Sequence, residues 1–506
     1  MNNAPSLKEK TFNAVLWNFL GTIGGKVFQL VPTMILARLL SPSDYGVVAI
    51  SAVITGLITI FVNGGFSYSI VQKKNIDDLD LCSIYYFNIF SSLFFYVCLW
   101  FAAPSISNFF QMNEVVAIIR ISSLGLIIGS LSNVQATIFK RNLDYKHITQ
   151  RNLVAQIISA IAGIICACFG LSYWALVVQS LVSTTSITII NWRLSDWNPT
   201  FKFSFIRLKL MFGYNGKLLL KNLSDYGFDK VYDVSIGKLY SSSELSYFNR
   251  AYATINLFIQ SFLDVLNNVA FPAFSRMQSE KVRLKNNIIR FLKIESMLIF
   301  TVLLCICALS ESLFHVLYSS KWDSVIPLFR ILCLWALFRP VSYIFTNGLM
   351  SLGCSGICFK ISFTTKVLNI LLLIITWEHG LKIMMLGQVL AIYIEAILYT
   401  FYFNKFFGYS FKRVILDLLP YLSLAIVFAM ILYGVDYYIF SLVRVYINSE
   451  FWGALCSLML GMFLSIWGFI FVNKKMKLSA YTDFRNILLD YFKNNAYINK
   501  LIRLFM

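Results

Sequence analysis

GYNGKLLLKNLSDYGFDKVYDVSIGKL, residues 213–239, decides how the chain is read. About 20 residues rising about 1.5 Å each span the hydrocarbon of a bilayer, so the stretch is long enough to cross one as a helix. It nevertheless carries Lys217, Lys221, Asp225, Asp229 and Asp233, each four residues after the last. A four-residue step turns a helix by about 400°, which displaces each charge only about 40° from its predecessor. The expectation is one charged face, in a stripe roughly 24 Å long. An ionisable group at the bilayer centre costs at least about 2.5 kcal/mol on insertion scales, so such a face must look onto protein or a wet cavity.

The rest of the chain supplies the setting. Of 506 residues, 58% are hydrophobic and only 13% charged, against about 25% charged in soluble domains. The fold class is all-α, a polytopic membrane protein. The start, MNNAPSLKEKTF, lacks the apolar core and cleavage site of a signal peptide, so the first hydrophobic segment is expected to stay. The net charge of +19 does not call for nucleic acid, because the basic residues lie mostly between apolar spans. Orientation and anionic headgroups account for them there. The ten cysteines sit in or beside apolar spans without zinc spacing, and are expected to be reduced and structural.

Apolar runs of spanning length fall at 14–37, 44–65, 81–103, 115–138, 151–170, 174–192, 213–237, 246–272, 292–310, 325–349, 360–377, 383–403, 415–437 and 451–473. Fourteen transmembrane helices are therefore expected. With the N-terminus inside, cytoplasmic segments hold 29 Lys and Arg and outer loops only five: Arg38, Lys238, Lys321, Lys382 and Arg444. That asymmetry places both termini in the cytoplasm.

The chain also repeats. ARLLSPSDYG (37–46) aligns with GKLYSSSELS (237–246), VVAIIRISSL (115–124) with VIPLFRILCL (325–334), and FGLSYWALVVQ (169–179) with HGLKIMMLGQ (379–388). The second match superposes Arg120 on Arg330. Spans one to six thus correspond to spans seven to twelve, and an even number keeps both halves in one orientation, related by a pseudo-twofold axis along the membrane normal. The organisation expected is an N-lobe at 1–195, an interfacial linker at 196–212, a C-lobe at 213–410, two further helices at 411–475 and a basic cytoplasmic tail at 476–506. In the linker, Phe201, Phe203, Phe205 and Met211 interleave with Lys202, Arg207 and Lys209, which suits the inner-leaflet boundary. The basic stretch 275–293 reads as a solvated helix.

Catalytic chemistry is not in evidence. There is no Walker phosphate loop. His147, His315 and His379 show no carboxylate or cysteine at ligand spacing. Glycines such as Gly125 and Gly129 suit close helix packing. What stands out is buried charge. Away from their ends, the first-half spans contain Lys26 and Arg120 and no acid. Those of the second half contain Lys217, Lys221, Lys230, Arg250, Arg330, Arg339 and Lys366 with Asp225, Asp229, Asp233, Asp264, Glu295 and Glu395. A cavity lined by these groups is net cationic and suits an anionic headgroup such as a pyrophosphate. Lys26, Arg120, Lys217 and Lys221 are the candidate substrate-binding residues. Structural readings stand beside each: Lys217 can snorkel to the inner surface, and Arg120 and Arg330 can cap equivalent helix contacts. Asp225, Asp229 and Asp233 can neutralise nearby cations or serve cation or proton coupling.

The strings LARLLSPSDYGVVAIS (36–51), NGGFSYSIVQKK (63–74), KRNLDYK (140–146), FGLSYWALVVQSL (169–181), FPAFSRMQ (271–278) and LYSSKWDSVIPLFRILCL (317–334) resemble the Wzx-type bacterial polysaccharide exporters, of the colanic-acid and teichuronic-acid export kind. The matches run from about residue 15 to 360. The resemblance implies the MOP exporter fold, two six-helix lobes in a V around a central cavity plus two C-terminal helices. It implies a flippase for an oligosaccharide carried on undecaprenyl pyrophosphate, in the bacterial inner membrane. It adds no binding residue, since the strings are loop and packing signatures. No cofactor is expected beyond a coupling ion, H+ or Na+. The partners expected are the membrane, the lipid-linked oligosaccharide, a polysaccharide polymerase and a chain-length regulator, with no nucleic acid. The competing readings are a multidrug, MATE-like exporter, which would call for an acidic cavity, a glycan polymerase or ligase, which would call for a large outer loop, and a structural scaffold.

Overall fold

The computed structural model describes residues 24–25, 28–63, 66–447, 449–476 and 478–491. Every regular element among them is helical. The N-terminal helices are α1 (Phe28–Leu39), α2 (Pro42–Asn63), α3 (Phe66–Gln72), α4 (Asp78–Phe110), α5 (Glu114–Ser122), α6 (Leu124–Ser130), α7 (Asn133–Arg141), α8 (Tyr145–Cys168), α9 (Trp174–Leu194) and α10 (Phe205–Leu239). Then come α11 (Ser242–Arg276), α12 (Lys281–Ala308), α13 (Ser310–Leu317), α14 (Val325–Leu337), α15 (Arg339–Ser351), α16 (Ser355–Thr376), α17 (Leu381–Phe407), α18 (Phe411–Ile447), α19 (Glu450–Met476) and α20 (Ser479–Tyr491).

Ten helices are long and apolar enough to cross a membrane, or eleven if α5–α6 and α7, bent by 49°, count as one broken span. The protein is a multi-pass membrane protein. Fourteen spans are not reached on length and apolarity among the described residues, for two reasons. The segment at 14–37 begins outside them, leaving α1 short. Helix α10, though 35 residues long, carries at least three charged residues in every 18-residue stretch, and α11 is not among the ten. The outer faces supply lipid-compatible surface, with Phe94 and Phe101 of α4 and Ile375 of α16 among the exposed apolar side chains.

The chain divides into two compact units, one up to Ser246 and one from Tyr247. In the first, α8 and α9 pair, α4 lies against α5 and α6, and α10 packs on α2, α3 and α4. Helix α4 starts at a capping box: Asp77 accepts from the Asp80 backbone amide at 3.0 Å while Asp80 reaches back to the Asp77 amide. The Asp80 amide and side chain hold the Asp77 carboxyl below its ordinary range. Glycine sets the α2–α10 spacing. A Cβ on Gly56 would meet the Tyr226 hydroxyl at 2.1 Å, and one on Gly46 would meet the Ser242 carbonyl oxygen at 1.8 Å. The linker is tied to the start of α4: the Trp197 indole and the Thr200 hydroxyl donate to Asp78 at 2.8 and 3.0 Å, and the Ser204 amide to the Ser83 hydroxyl at 2.9 Å. It is not one linker element, since Phe205 onward is already α10. Phe201, Phe203, Phe205 and Ile206 point outward, fully or largely exposed.

In the second unit, α12 lies against α14, α15 and α18, α18 against α19, and α16 against α17. Phe345 of α15 stacks on Phe403 of α17 at 4.2 Å. The break between α12 and α13 nests on α19, where a Cβ on Gly461 would meet Leu309 at 2.7 Å. Nearby, Asp436 of α18 is buried and accepts from the hydroxyls of Ser312 and Ser457. The basic stretch 275–293 comprises the last two residues of α11, a turn and the start of α12. It is held rather than free, with Arg290 on Asp483 of α20 at 2.9 Å and Lys293 on Asp417 of α18 at 3.0 Å.

The internal repeat is visible in the backbone. Helices α1 and α10 end 200 residues apart, and α2 and α11 start 200 apart. Each of these starts has the same local cap, the Ser41 hydroxyl accepting from the Asp44 amide and the Ser241 hydroxyl from the Glu244 amide. Further on, α7 and α15 end 210 residues apart and α8 and α16 start 210 apart. The left-handed positions follow suit: Leu143 (φ 58) with Gly353 (φ 77), and Gly170 (φ 74) with Gly380 (φ 92).

Candidate functional site

Helix α10 carries the charges singled out by the sequence, but they do not share a face. Four steps of about 40° accumulate to about 160°, so the first and last charges lie nearly opposite each other on a straight helix. The structure follows that drift. Lys217 and Lys221 are exposed, Asp225 is half-buried, Asp229 is exposed, and Asp233 is buried at 5%. The residues that face α2 are spaced by three and four instead: Tyr226 donates to the Val53 carbonyl at 2.9 Å, and Gly237 packs on Ile50. Asp233 lies on this side with Lys230, 3.4 Å from it.

Lys221, well exposed, is paired with the half-buried Asp225 at 2.9 Å. An exposed pair of this spacing contributes only about 0.3–0.5 kcal/mol, so it opens at little cost when a stronger anion arrives. Lys217, one turn earlier, is also exposed. Lys26 lies outside the described residues.

Arg120 of α5 sits on α4, its guanidinium 4.6 Å from the Trp100 ring and its Nε donating to the Trp100 carbonyl at 3.3 Å. Arg330 of α14 donates to the Ser310 hydroxyl and to Glu311, each at 2.9 Å. Trp100 and Ser310 both lie 20 residues before their arginine. The two arginines therefore do the same job in the two repeats, bracing a helix against the one before it.

Two histidines have carboxylate partners that the sequence reading passed over. His147 meets Asp144, the N-cap of α8, at 2.5 Å, and His315 meets Asp323 at 2.9 Å. Among the described residues no group of three His, Cys, Asp or Glu could hold a metal ion. Sequence reasoning also missed Asp80, fully buried at the start of α4 and held by Lys73 and by Arg207 at 3.6 Å. Its only signal was the D-x-x-D spacing of the cap.

These features define a class: an all-helical, multi-pass membrane protein with an internal repeat and a cationic end on one long polar helix. The chain belongs to the polysaccharide biosynthesis protein family, whose model matches residues 35–327. It is 23% identical over 429 residues to the lipopolysaccharide biosynthesis protein WzxC of Escherichia coli, covering 83% of this chain and 86% of that one. Its fold is that of the lipid II flippase MurJ in an inward closed conformation, with a TM-score of 0.69, 15% identity and coverage of 91% of this chain and 99% of that one. A multidrug resistance MATE family transporter of the MOP superfamily aligns with a TM-score of 0.60 and 15% identity, over 80% of this chain and 98% of that one.

Proposed function

We propose that the chain is a flippase that moves an oligosaccharide carried on undecaprenyl pyrophosphate across the bacterial inner membrane, for O-antigen, capsule or exopolysaccharide synthesis. The observation that carries this is the family match over 35–327 in a multi-pass chain. The MurJ-like fold supports it. On this reading the protein is not an enzyme, and α1, α10 and α11 join the eleven apolar spans to make fourteen. The 200- and 210-residue offsets support two pseudo-twofold-related six-helix lobes, with α18 and α19 appended. The Lys and Arg distribution supports cytoplasmic termini.

Transport runs by alternating access through a cationic cavity. Lys217 and Lys221 receive the phosphates through charge-assisted hydrogen bonds, with Lys26 and Arg120 contributing. Asp225 holds Lys221 when no substrate is bound. Asp229 and Asp233, further along α10, favour release or take H+ or Na+ on the return. A polysaccharide polymerase and a chain-length regulator are the expected partners.

The test is complementation of a strain lacking the gene, scored by surface glycan at matched protein level. Lys217→Ala and Lys221→Ala together are expected to lower export at least tenfold, and Asp225→Ala to leave it largely intact. Normal export by the double variant overturns the cationic-cavity assignment. Efflux of cationic drugs with no effect on glycan would favour the multidrug reading.

A further inference from the structure

The second unit carries charges at positions where its repeat partner has none, and one of them, Glu295, is fully buried. Glu295, midway along α12, has no exposed surface, and neither carboxylate oxygen meets a hydrogen-bond donor among the described residues. The Ser342 hydroxyl of α15 is also buried, and its oxygen has no hydrogen-bond partner either. The two lie at one level. Ile288 of α12 packs where Gly348 of α15 has no side chain, and counting about seven residues along these antiparallel helices brings Glu295 opposite Val341 and Ser342. Arg339, the first residue of α15 and the one cation on that helix, forms no ion pair with Glu295. Lys366 of α16 and Glu395 of α17 are further charges within this unit's spans, and both are half-buried.

The repeat serves as an internal control. At the 210-residue offset, Arg339, Lys366 and Glu395 correspond to Gly129, Gln156 and Thr185. The starts of α4 and α12 are 203 residues apart, so the counterpart of Glu295 is bracketed by Tyr85 and Ser92. The first unit builds the corresponding helices with no charge at any of these positions. The fold does not require the cluster, and an ionised carboxylate without donors in a dry interior costs several kcal/mol.

We infer that Glu295 is a proton-binding carboxyl, occupied by a proton in this conformation and released from it when the α12–α15 contact opens toward Arg339. Its purpose, to couple transport to a proton gradient, rests on the flippase reading; the site itself does not. A hard metal cation would want about six oxygens, and this site offers the two of Glu295 and one hydroxyl, beside a guanidinium. Of the other ionisable groups on helices packed against α12, Asp417 pairs with Lys293, Arg330 with Glu311, Asp483 with Arg290 and His315 with Asp323, Asp436 accepts from Ser312 and Ser457, and Tyr343 accepts from Arg339. Lys412 and Arg413 are exposed at the start of α18.

The test is infrared spectroscopy of the purified full-length protein near neutral pH, in H2O and D2O. A carboxylic-acid C=O band that exchanges slowly is expected in the wild type and in Glu395→Gln, and is expected to be absent in Glu295→Gln. The glutamine keeps the shape of the neutral acid, so its melting temperature should match the wild type; Glu295→Asp, a second variant, should retain the band, shifted. In cells, Glu295→Gln should lower surface-glycan export at least tenfold. A wild type without the band, a band that survives in Glu295→Gln, or a band abolished by sodium in place of potassium overturns the proposal. Undiminished export by Glu295→Gln removes the coupling role. If deleting the whole gene leaves surface glycan unchanged, it is the flippase reading that falls, and the infrared result stands apart from it.

Discussion

The two repeat-related arginines brace equivalent helix contacts with chemically different partners. Arg330 has two polar partners on the helix before it, and Arg120 has a ring and a carbonyl. Arg330→Ala is expected to destabilise the purified protein by about 1–2 kcal/mol, the range for hydrogen bonds to charged groups, reduced for partial exposure. Arg120→Ala is expected to cost about 0.5–1 kcal/mol, the worth of an exposed cation–π contact. Thermal melting in detergent checks both. If Arg120→Ala melts like the wild type yet exports no glycan, the arginine acts on substrate and not on α4. The sequence marked both residues because they superpose in the repeat; it could not reveal their partners, since Trp100 and Ser310 share neither chemistry nor shape.

At the scale of elements, close approach and backbone handedness do most to fix the architecture. Gly46→Ala would drive a methyl into the Ser242 carbonyl and is expected to destabilise by about 1–3 kcal/mol, as overpacking does. Gly170→Ala and Gly380→Ala lie in open space but at positive φ; each is expected to cost about 1–2 kcal/mol, and the two should add because the turns are separate. Melting of the single and double variants tests this. These elements were legible in outline. Helical spans came from run length, and the repeat came from short matches that the caps and left-handed turns now reproduce. The stripe on α10 was misread as one face because a 40° step looks small until it is taken four times. The span total depended on counting the charged helix α10, and apolarity is silent about it.

For the molecule as a whole, the sorting of positive charge is the feature that a reporter can check. Fusions that fluoresce only in the cytoplasm, placed after Leu194, Arg276 and Gly408, are expected to be bright, and those placed after Phe110 and Gly380 dark. A dark fusion at Gly408 would remove the orientation on which cytoplasmic termini rest. The exposed aromatics of the linker, anchored through Trp197 and Thr200 to Asp78, lie on the side this orientation assigns to the inner leaflet.

The α12–α13 break has no equal in the first repeat, where α4 runs unbroken past Pro104. Symmetry gives way where Leu309 fits Gly461 and where Ser312 and Ser457 share one carboxylate. The last pair of helices is thus a keystone, not an ornament. A premature stop codon just after Gly408 would strip a buried seam bare and leave the cell with a chain fit only for its membrane proteases.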